Sequence, residues 1–349
     1  MQPVHLAVVG AGLIGRRHAE HILAEPEASL DAVLDPSEAG RAFAEGIGAE
    51  WFPDLSAMLA SGRRPEGAII ATPNQLHVAN GLACVAAGIP CIVEKPLADD
   101  VAGAERLVAA AEAAGVPLLT GHHRRYNPMI AAAKRAIEEG RLGRVLTVQG
   151  SFWLFKPDDY FDAAWRREKG AGPVLLNLIH DVDLLRHLCG EVESVTAHES
   201  NAVRGHAVED TAAILLRFAN GVLGTMSVSD TVVAPWSWEM TTGENPAYPH
   251  TDQACYQIGG THASLSIPSL DLWRHRGARS WWAPIQAERL AYEAEDPLRR
   301  QVRHLCRVVR GTEAPLVSGR EGLETLRVIE AVKRSAATGR TVALGRAGA

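Results

Sequence analysis

The sequence predicts an α/β protein of two domains, a parallel sheet covered by helices followed by a domain whose sheet is largely antiparallel. Three observations carry that prediction. Over the first 120 residues, short apolar runs alternate with helical segments. A glycine-rich turn closes the first of those runs. After Gly121 the texture changes to strand-like stretches joined by turns such as Asn220-Gly221. Alternation of the βαβα kind argues a parallel sheet with both faces covered. Turn-linked runs suit antiparallel pairing. A chain of 349 residues also exceeds one ordinary core and suits two.

Each element follows in order. Residues 5–9 form an apolar run ending in glycines, and 16–23 read as helix. Residues 30–34 are the next strand and 37–45 the next helix. Residues 67–71 are a third apolar run, and the helical stretch 76–87 stops at Gly88. Residues 91–93 are a strand, 101–114 an alanine-rich helix ending at Gly115, and 117–120 a last strand. The domain boundary is expected near residues 120–122, giving domains 1–121 and 122–349 with no flexible linker between them. The second domain opens with a long helix over 128–139, a strand over 145–155 and a helix over 175–188. Strands are expected at 192–199, 212–218, 222–228, 238–242 and 264–267, and a final amphipathic helix at 320–337. No repeat or low-complexity tract interrupts this order.

Composition narrows the function. Hydrophobic residues make up 47% and charged residues 22%, an ordinary soluble balance. A net charge of −6 leaves no basic footprint for nucleic acid or an anionic membrane surface. Cys84, Cys91, Cys189, Cys255 and Cys306 are scattered, odd in number and without a CxxC, which speaks against a disulfide framework or a thiolate metal site. They read as buried free thiols in a reducing compartment. The chain enters a strand at once, with no secretory pattern. No apolar stretch is long enough to span a bilayer. The expected location is the cytoplasm.

Gly10-Ala11-Gly12-Leu13-Ile14-Gly15 is a GxGxxG sequence between an apolar strand and a helix. That context makes it a dinucleotide-binding fingerprint and the first domain a Rossmann domain. Gly10 permits the tight turn, Gly12 lets the backbone approach a pyrophosphate, and Gly15 lets the helix pack close. The helix N-terminus then offers free N–H groups to the phosphates. Asp35 ends the second strand, 20 residues after Gly15. A carboxylate there accepts hydrogen bonds from ribose hydroxyls and repels a 2′-phosphate, so NAD is favoured over NADP. Pro36 and Ser37 supply no adjacent arginine to offset it, although Arg41 is close enough in sequence to keep NADP open.

Three further motifs carry a family resemblance. Thr72-Pro73-Asn74 with His77 follows the third apolar run, Glu94-Lys95-Pro96 ends the strand at 91–93, and GHHRRYNP over 121–128 opens the second half. With GxGxxG, the Trp165-Arg166 pair before Gly170-Ala171-Gly172, and the closing segment 320–344, this ordered set resembles the Gfo/Idh/MocA family of sugar and polyol oxidoreductases. The resemblance spans essentially the whole chain. It implies a second α/β domain with a large open, mostly antiparallel sheet that packs against another subunit as a homodimer or homotetramer. It also implies that Thr72, Pro73, Asn74, His77, Glu94, Trp165 and Arg166 join the cofactor site, with Glu94 near the nicotinamide ribose.

Oxidising a secondary alcohol needs an oriented hydride and a positioned base. Lys95 is the first candidate, because it sits at the carboxyl end of a sheet strand, where ligands bind in open α/β sheets. Pro96 restricts its backbone to extended conformations. A lysine starts near a pKa of ~10.4, so burial or a neighbouring cation must lower it before it acts near neutrality. His180 is the second candidate, since histidine titrates near physiological pH. On a helix Asn177 shares its face, with Asp181 close by. Many relatives carry an aspartate four residues before this histidine, whereas this chain has Leu176 there and Asn177 next to it. An amide can hold a substrate hydroxyl but cannot take its proton. The expectation is therefore proton transfer by Lys95 and His180, with Asn177 orienting the substrate.

By resemblance, His123, Arg124, Arg125, Tyr126 and Asn127 supply polar substrate contacts. An arginine facing the substrate would suit a carboxylate. The adjacent His122 and His123 do not read as a metal pair, because neighbours point apart and no other ligand spacing is present. The small-molecule substrate implied is a sugar, polyol or sugar acid oxidised at a ring hydroxyl by an NAD(P)-dependent dehydrogenase. Two other readings remain open at this level, a cis-dihydrodiol dehydrogenase of an aromatic acid and an NAD-binding regulator without turnover.

Overall fold

The computed structural model describes residues 2–345. They divide into two compact units. The first takes the chain up to Asn127 together with a returning segment, Glu295–Leu326. The second takes Pro128–Ala294 and the chain from Arg327 onward. The chain thus passes between units near residues 127, 294 and 326, where the sequence suggested a single passage near 121.

The first unit runs β1 (Val4–Val9), α1 (Leu13–Ala24), β2 (Ala28–Leu34), α2 (Glu38–Gly46), β3 (Glu50–Phe52), α3 (Leu55–Ala60), β4 (Gly67–Ile70), α4 (His77–Ala86), β5 (Cys91–Val93), α5 (Val101–Ala114) and β6 (Leu118–Thr120). Its six strands lie in the order β3-β2-β1-β4-β5-β6, and every neighbouring pair is parallel. Strands covered on both faces read as continuous apolar runs, and β4, β5 and β6 are buried at every residue. Side chains fix the helix starts. Ser37 accepts from the Gly40 N–H, Asp54 from Ala57 and Asp100 from Gly103, each satisfying a donor the helix leaves open. The strand order reverses between β1 and β4, the switch point at which open α/β sheets bind ligands.

The second unit runs α6 (Pro128–Glu138), β7 (Val145–Trp153), α7 (Ile179–Cys189), β8 (Val192–Ser200), β9 (Thr211–Phe218), β10 (Leu223–Ser229), α8 (Trp238–Thr241), β11 (Tyr256–Gly260), β12 (Ala263–Ile267), β13 (Asp271–His275) and β14 (Ile285–Arg289). The chain then forms α9 (Pro297–Val309), α10 (Gly319–Thr338) and β15 (Val342–Ala343). The nine-stranded sheet has the order β14-β13-β12-β11-β7-β10-β9-β8-β15. All its neighbours are antiparallel except β7 and β10. Alternation is clean. Ala212, Ile214, Leu216 and Phe218 of β9 are buried, while Ala213, Leu215 and Arg217 face out.

Two differences from the sequence expectation have local causes. The strand expected over 238–242 is instead a helix over 238–241: Ser237 accepts from the Met240 N–H and starts a single helical turn, which overrides the β propensity of the tryptophan and threonines. The segment 297–309 is a helix of the first unit. Val302, Leu305, Cys306 and Val308 pack there with Leu6, Val8, Ile22, Ile69, Ile92 and Leu119. Pro297 at its first turn and Asp296 as its cap mark the start.

Candidate active site

In the first unit, the sequence-predicted residues gather at the carboxyl ends of the parallel strands. Gly10 follows β1 with φ +100, and a Cβ there would lie 2.6 Å from the Ala71 carbonyl oxygen. At Gly15 a Cβ would lie 1.9 Å from the Gly10 carbonyl oxygen. Both positions are closed to any other residue. Gly12 is different, with nothing within 4 Å of its would-be Cβ. It is the N-cap of α1, and no side chain caps that helix. Ala11 is buried and Leu13 is exposed. The arrangement is an open, glycine-lined helix N-terminus with uncommitted N–H groups, which fits the pyrophosphate of a dinucleotide.

Asp35, at the end of β2, holds this turn from beside. Its Oδ2 accepts from the Ala11 N–H at 2.7 Å and its Oδ1 from the Ser37 N–H at 2.9 Å. Partial burial works to raise its pKa, but the bonds from Ser37 and Ala11 and the nearby Arg16 charge outweigh burial and hold it below the ordinary carboxylate range. Arg16 donates to the Ala11 and Ala39 carbonyls and stacks over Phe43. Arg41 pairs with Glu45 and lies over Trp51.

Beyond β4, the His77 ring spans two loops. Its Nδ1 lies 2.7 Å from the Pro96 carbonyl oxygen and its Nε2 2.9 Å from that of Thr72. This ties Thr72-Pro73-Asn74 to Glu94-Lys95-Pro96, whose Lys95–Pro96 peptide is cis. Glu94 is buried and bonded at 2.7 Å to the Nε2 of His18, a wholly buried residue of α1. Burial pushes the Glu94 carboxyl up, yet the bond and charge of His18, with His123 and Lys95 near, bring it below its ordinary value. After β6, His123 is partly exposed, while Arg124, Arg125, Tyr126 and Asn127 are buried. Arg125 forms an ion pair with Glu321 at 2.7 Å.

The second unit holds the remaining residues. Val174–Leu178 form a π-helical turn that leads into α7. Such turns occur often at functional sites. Asn177 sits in that turn and His180 in the first turn of α7. His180 is almost wholly buried. Asp181 is fully buried and accepts a hydrogen bond from the Tyr256 hydroxyl. The Asn177 Oδ1 accepts from the Lys156 Nζ at 2.8 Å. That ammonium also lies 4.8 Å from the Tyr160 ring centre, and the Arg166 guanidinium lies 4.0 Å from the same centre. Arg166 donates to the Tyr160 carbonyl and lies 5.4 Å from the ring centre of Trp165, which is exposed. Lys156 further approaches Asp230 at 3.7 Å, and Asp230 accepts from Arg204. Burial raises the Asp230 pKa against the pull of Lys156 and Arg204.

Sequence reasoning missed His18, Arg16, Lys156, Tyr160 and Tyr256. One signal was available for Lys156. Lys156-Pro157 follows a strand just as Lys95-Pro96 does. His18 lies three residues after Gly15, on the side of α1 that the motif requires to pack.

Comparison with known proteins identifies one family over both halves of the chain. The family model described as "Oxidoreductase family, NAD-binding Rossmann fold" matches residues 4–122, and the model described as "Oxidoreductase family, C-terminal alpha/beta domain" matches residues 134–344. Both are Gfo/Idh/MocA models. The chain is 29% identical to D-apiose dehydrogenase of Paraburkholderia graminis, over 97% of this chain and 89% of that one. It is 27% identical to myo-inositol 2-dehydrogenase of Thermotoga maritima, over 98% of each. Among solved structures, the WlbA dehydrogenase of Bordetella pertussis in complex with NADH and UDP-GlcNAcA aligns with a TM-score of 0.78 and 28% identity, covering 98% of this chain and 99% of that one.

Proposed function

The chain belongs to the Gfo/Idh/MocA oxidoreductase family, and on that premise we propose that it is an NAD-dependent dehydrogenase of a sugar, polyol or sugar acid, acting at a ring hydroxyl. The carrying observation is the open Gly12 helix terminus beside Asp35, in a domain matched as NAD-binding. Relatives named for apiose and inositol support the substrate class over aromatic dihydrodiols.

Bound NAD supplies a nicotinamide ring that exchanges a hydride with the substrate carbon. The chain's own residues do the rest. Gly10, Ala11, Gly12, Leu13, Ile14 and Gly15 form the turn that receives the pyrophosphate at the open N-terminus of α1, and Asp35 accepts from the adenosine ribose. Thr72, Pro73, Asn74 and His77 border the nicotinamide half with Glu94, and Trp165 and Arg166 complete the cofactor's surroundings. Lys95 and His180 together carry the transfer of the single hydroxyl proton that leaves the substrate as the hydride does. Asn177 orients the sugar, and His123, Arg124, Arg125, Tyr126, Asn127 and Asp181 supply or support polar contacts to it.

A homodimer or homotetramer is formed through the outer face of the nine-stranded sheet, where Leu215, Leu223, Trp273 and Ile285 are exposed. A cytoplasmic location suits five free, buried cysteines. No helix among the described residues is long and apolar enough to cross a membrane.

The test is turnover of a sugar and polyol panel with NAD⁺ by native, Lys95→Ala and His180→Ala protein. Each variant should lose about 10²–10⁴ in kcat, the usual worth of a positioned acid or base. Native-like kcat in both variants would remove the proton-transfer assignment. NAD⁺ binding without turnover on any substrate would favour a regulator.

A further inference from the structure

The orientation of Asn177 decides what the site accepts. Lys156 is buried, and its ammonium lies 2.8 Å from the Asn177 side chain. An ammonium only donates, so the atom facing it must be the amide oxygen. The two N–H donors of Asn177 therefore point away from Lys156. Asn177 is half-buried, and its amide nitrogen makes no hydrogen bond to another described residue. Lys156 is itself held in place. Its backbone N–H donates to the Asp230 carbonyl at 2.9 Å, its own carbonyl accepts from Arg204 at 2.7 Å, and its ammonium rests near the Asp230 carboxylate and the Tyr160 ring. The amide has one available orientation, and its free edge carries donors only.

From this geometry we infer that Lys156 is a specificity-determining positioning residue, which turns Asn177 into a hydrogen-bond donor for an oxygen without a proton of its own, so that the substrate is a sugar acid. The inference rests on the dehydrogenase reading above and refines its substrate. A carboxylate side chain at this place would accept from a hydroxyl and repel a substrate carboxylate. The fixed amide does the reverse. A hydroxyl can still accept from it, but a carboxylate oxygen accepts more strongly, as charge-assisted bonds do. Lys156 adds a cation one amide away, which favours the anion further.

The experiment compares kcat/KM for D-glucuronate and D-galacturonate with that for D-glucose and D-galactose, with NAD⁺, in native protein and three variants. Native protein should prefer the uronates by about tenfold or more, the size expected for a hydrogen bond to a charged group. Asn177→Asp keeps the shape and offers an acceptor, so the preference should invert, mainly through the KM for uronate. Lys156→Met frees the amide to flip and should bring the ratio towards one, whereas Lys156→Arg keeps a donor and should restore it. Native preference for the hexoses, or a ratio unmoved by both Asn177→Asp and Lys156→Met, overturns the inference while leaving the dehydrogenase reading intact. A native protein that binds NAD⁺ and oxidises none of the four sugars overturns the inference and weighs against that reading as well. Should Lys156→Met fail to fold, the near-isosteric Asn177→Asp variant decides alone.

Discussion

Asp35 and Glu94 are both carboxylates that the fold keeps charged, and each yields a distinct prediction. Asp35 has lone pairs left after serving Ala11 and Ser37, since a carboxylate offers about four acceptor positions. Asp35→Ala should weaken NAD⁺ binding by about tenfold or more, the scale of a hydrogen bond to a charged group. Calorimetric titration should show NADP⁺ unchanged or tighter, because Arg16 then loses its nearby negative charge. Equal weakening for both nucleotides would mean that Asp35 only braces the turn. For Glu94 the folded pKa lies below the ordinary value. Its ionised form therefore adds stability that is complete above the unfolded pKa, about 4.3, and fades as pH falls through the lower folded value. Glu94→Gln should melt below native protein at neutral pH, and the gap should close as the medium is acidified under that window. A gap independent of pH would remove the His18 pairing as its cause. Asp35 was legible in the sequence because its spacing from Gly15 is set by one βαβ unit. Glu94 was legible only as a motif member, since its partner His18 lies on another element and only the fold joins them.

The turn between β1 and α1 separates two uses of glycine that the motif writes alike. Gly15 touches backbone, and its Cβ would meet the Gly10 carbonyl at 1.9 Å. Gly12 faces open space. Gly15→Ala should therefore lower the melting temperature and lose NAD⁺ together. Gly12→Ala should leave the melting temperature near native and still lose most NAD⁺ binding, because the methyl occupies the phosphate's approach. Thermal denaturation beside NAD⁺ titration separates them, and NAD⁺ binding retained by Gly12→Ala would move the pyrophosphate elsewhere. Most helices and strands of the first unit were readable from their period and their stop, whereas β3 and α3, three and six residues long, are too short to show a period and went unread. The second unit was readable where strands alternate, as β9 does, and not where they carry few apolar residues. β13 and β14 are the clearest cases: every residue of β14 is exposed, so no apolar period exists to be read. The helix α9 did carry its signals, Asp296 and Pro297, ahead of a repeating apolar face. Its destination in the first unit was beyond sequence, because local pattern says that a face is buried but not against what.

At the scale of the whole molecule, the nine-stranded sheet poses the remaining question of assembly. Its inner face is a core of Val148, Phe152, Ile214, Leu216, Phe218, Met226 and Val228. The opposite face of the central strands presents Leu215 and Leu223 with Thr147, Gln149, Ala213 and Thr225. Leu223 pairs with Arg217 and Thr225 with Leu215, so the two leucines lie on one face, one pair apart, in the middle of the sheet. A broad sheet face of small polar residues with apolar groups at its centre suits a flat interface, whose energy concentrates in a few central side chains. Oligomers are most often closed and two-fold, so a patch on one copy meets the same patch on the other. Like charges placed at its centre would then face each other. The double variant Leu215→Glu with Leu223→Glu should fold with its inner core intact, because both side chains point away from it. Light scattering after gel filtration should show native protein at a multiple of the chain mass and the variant at a smaller multiple, while NAD⁺ binding should persist, because neither leucine is among the residues proposed to hold the cofactor. An unchanged mass in the variant would place the interface elsewhere. The exposed Trp281 and Trp282, on the connection between β13 and β14, would then be the next residues to replace.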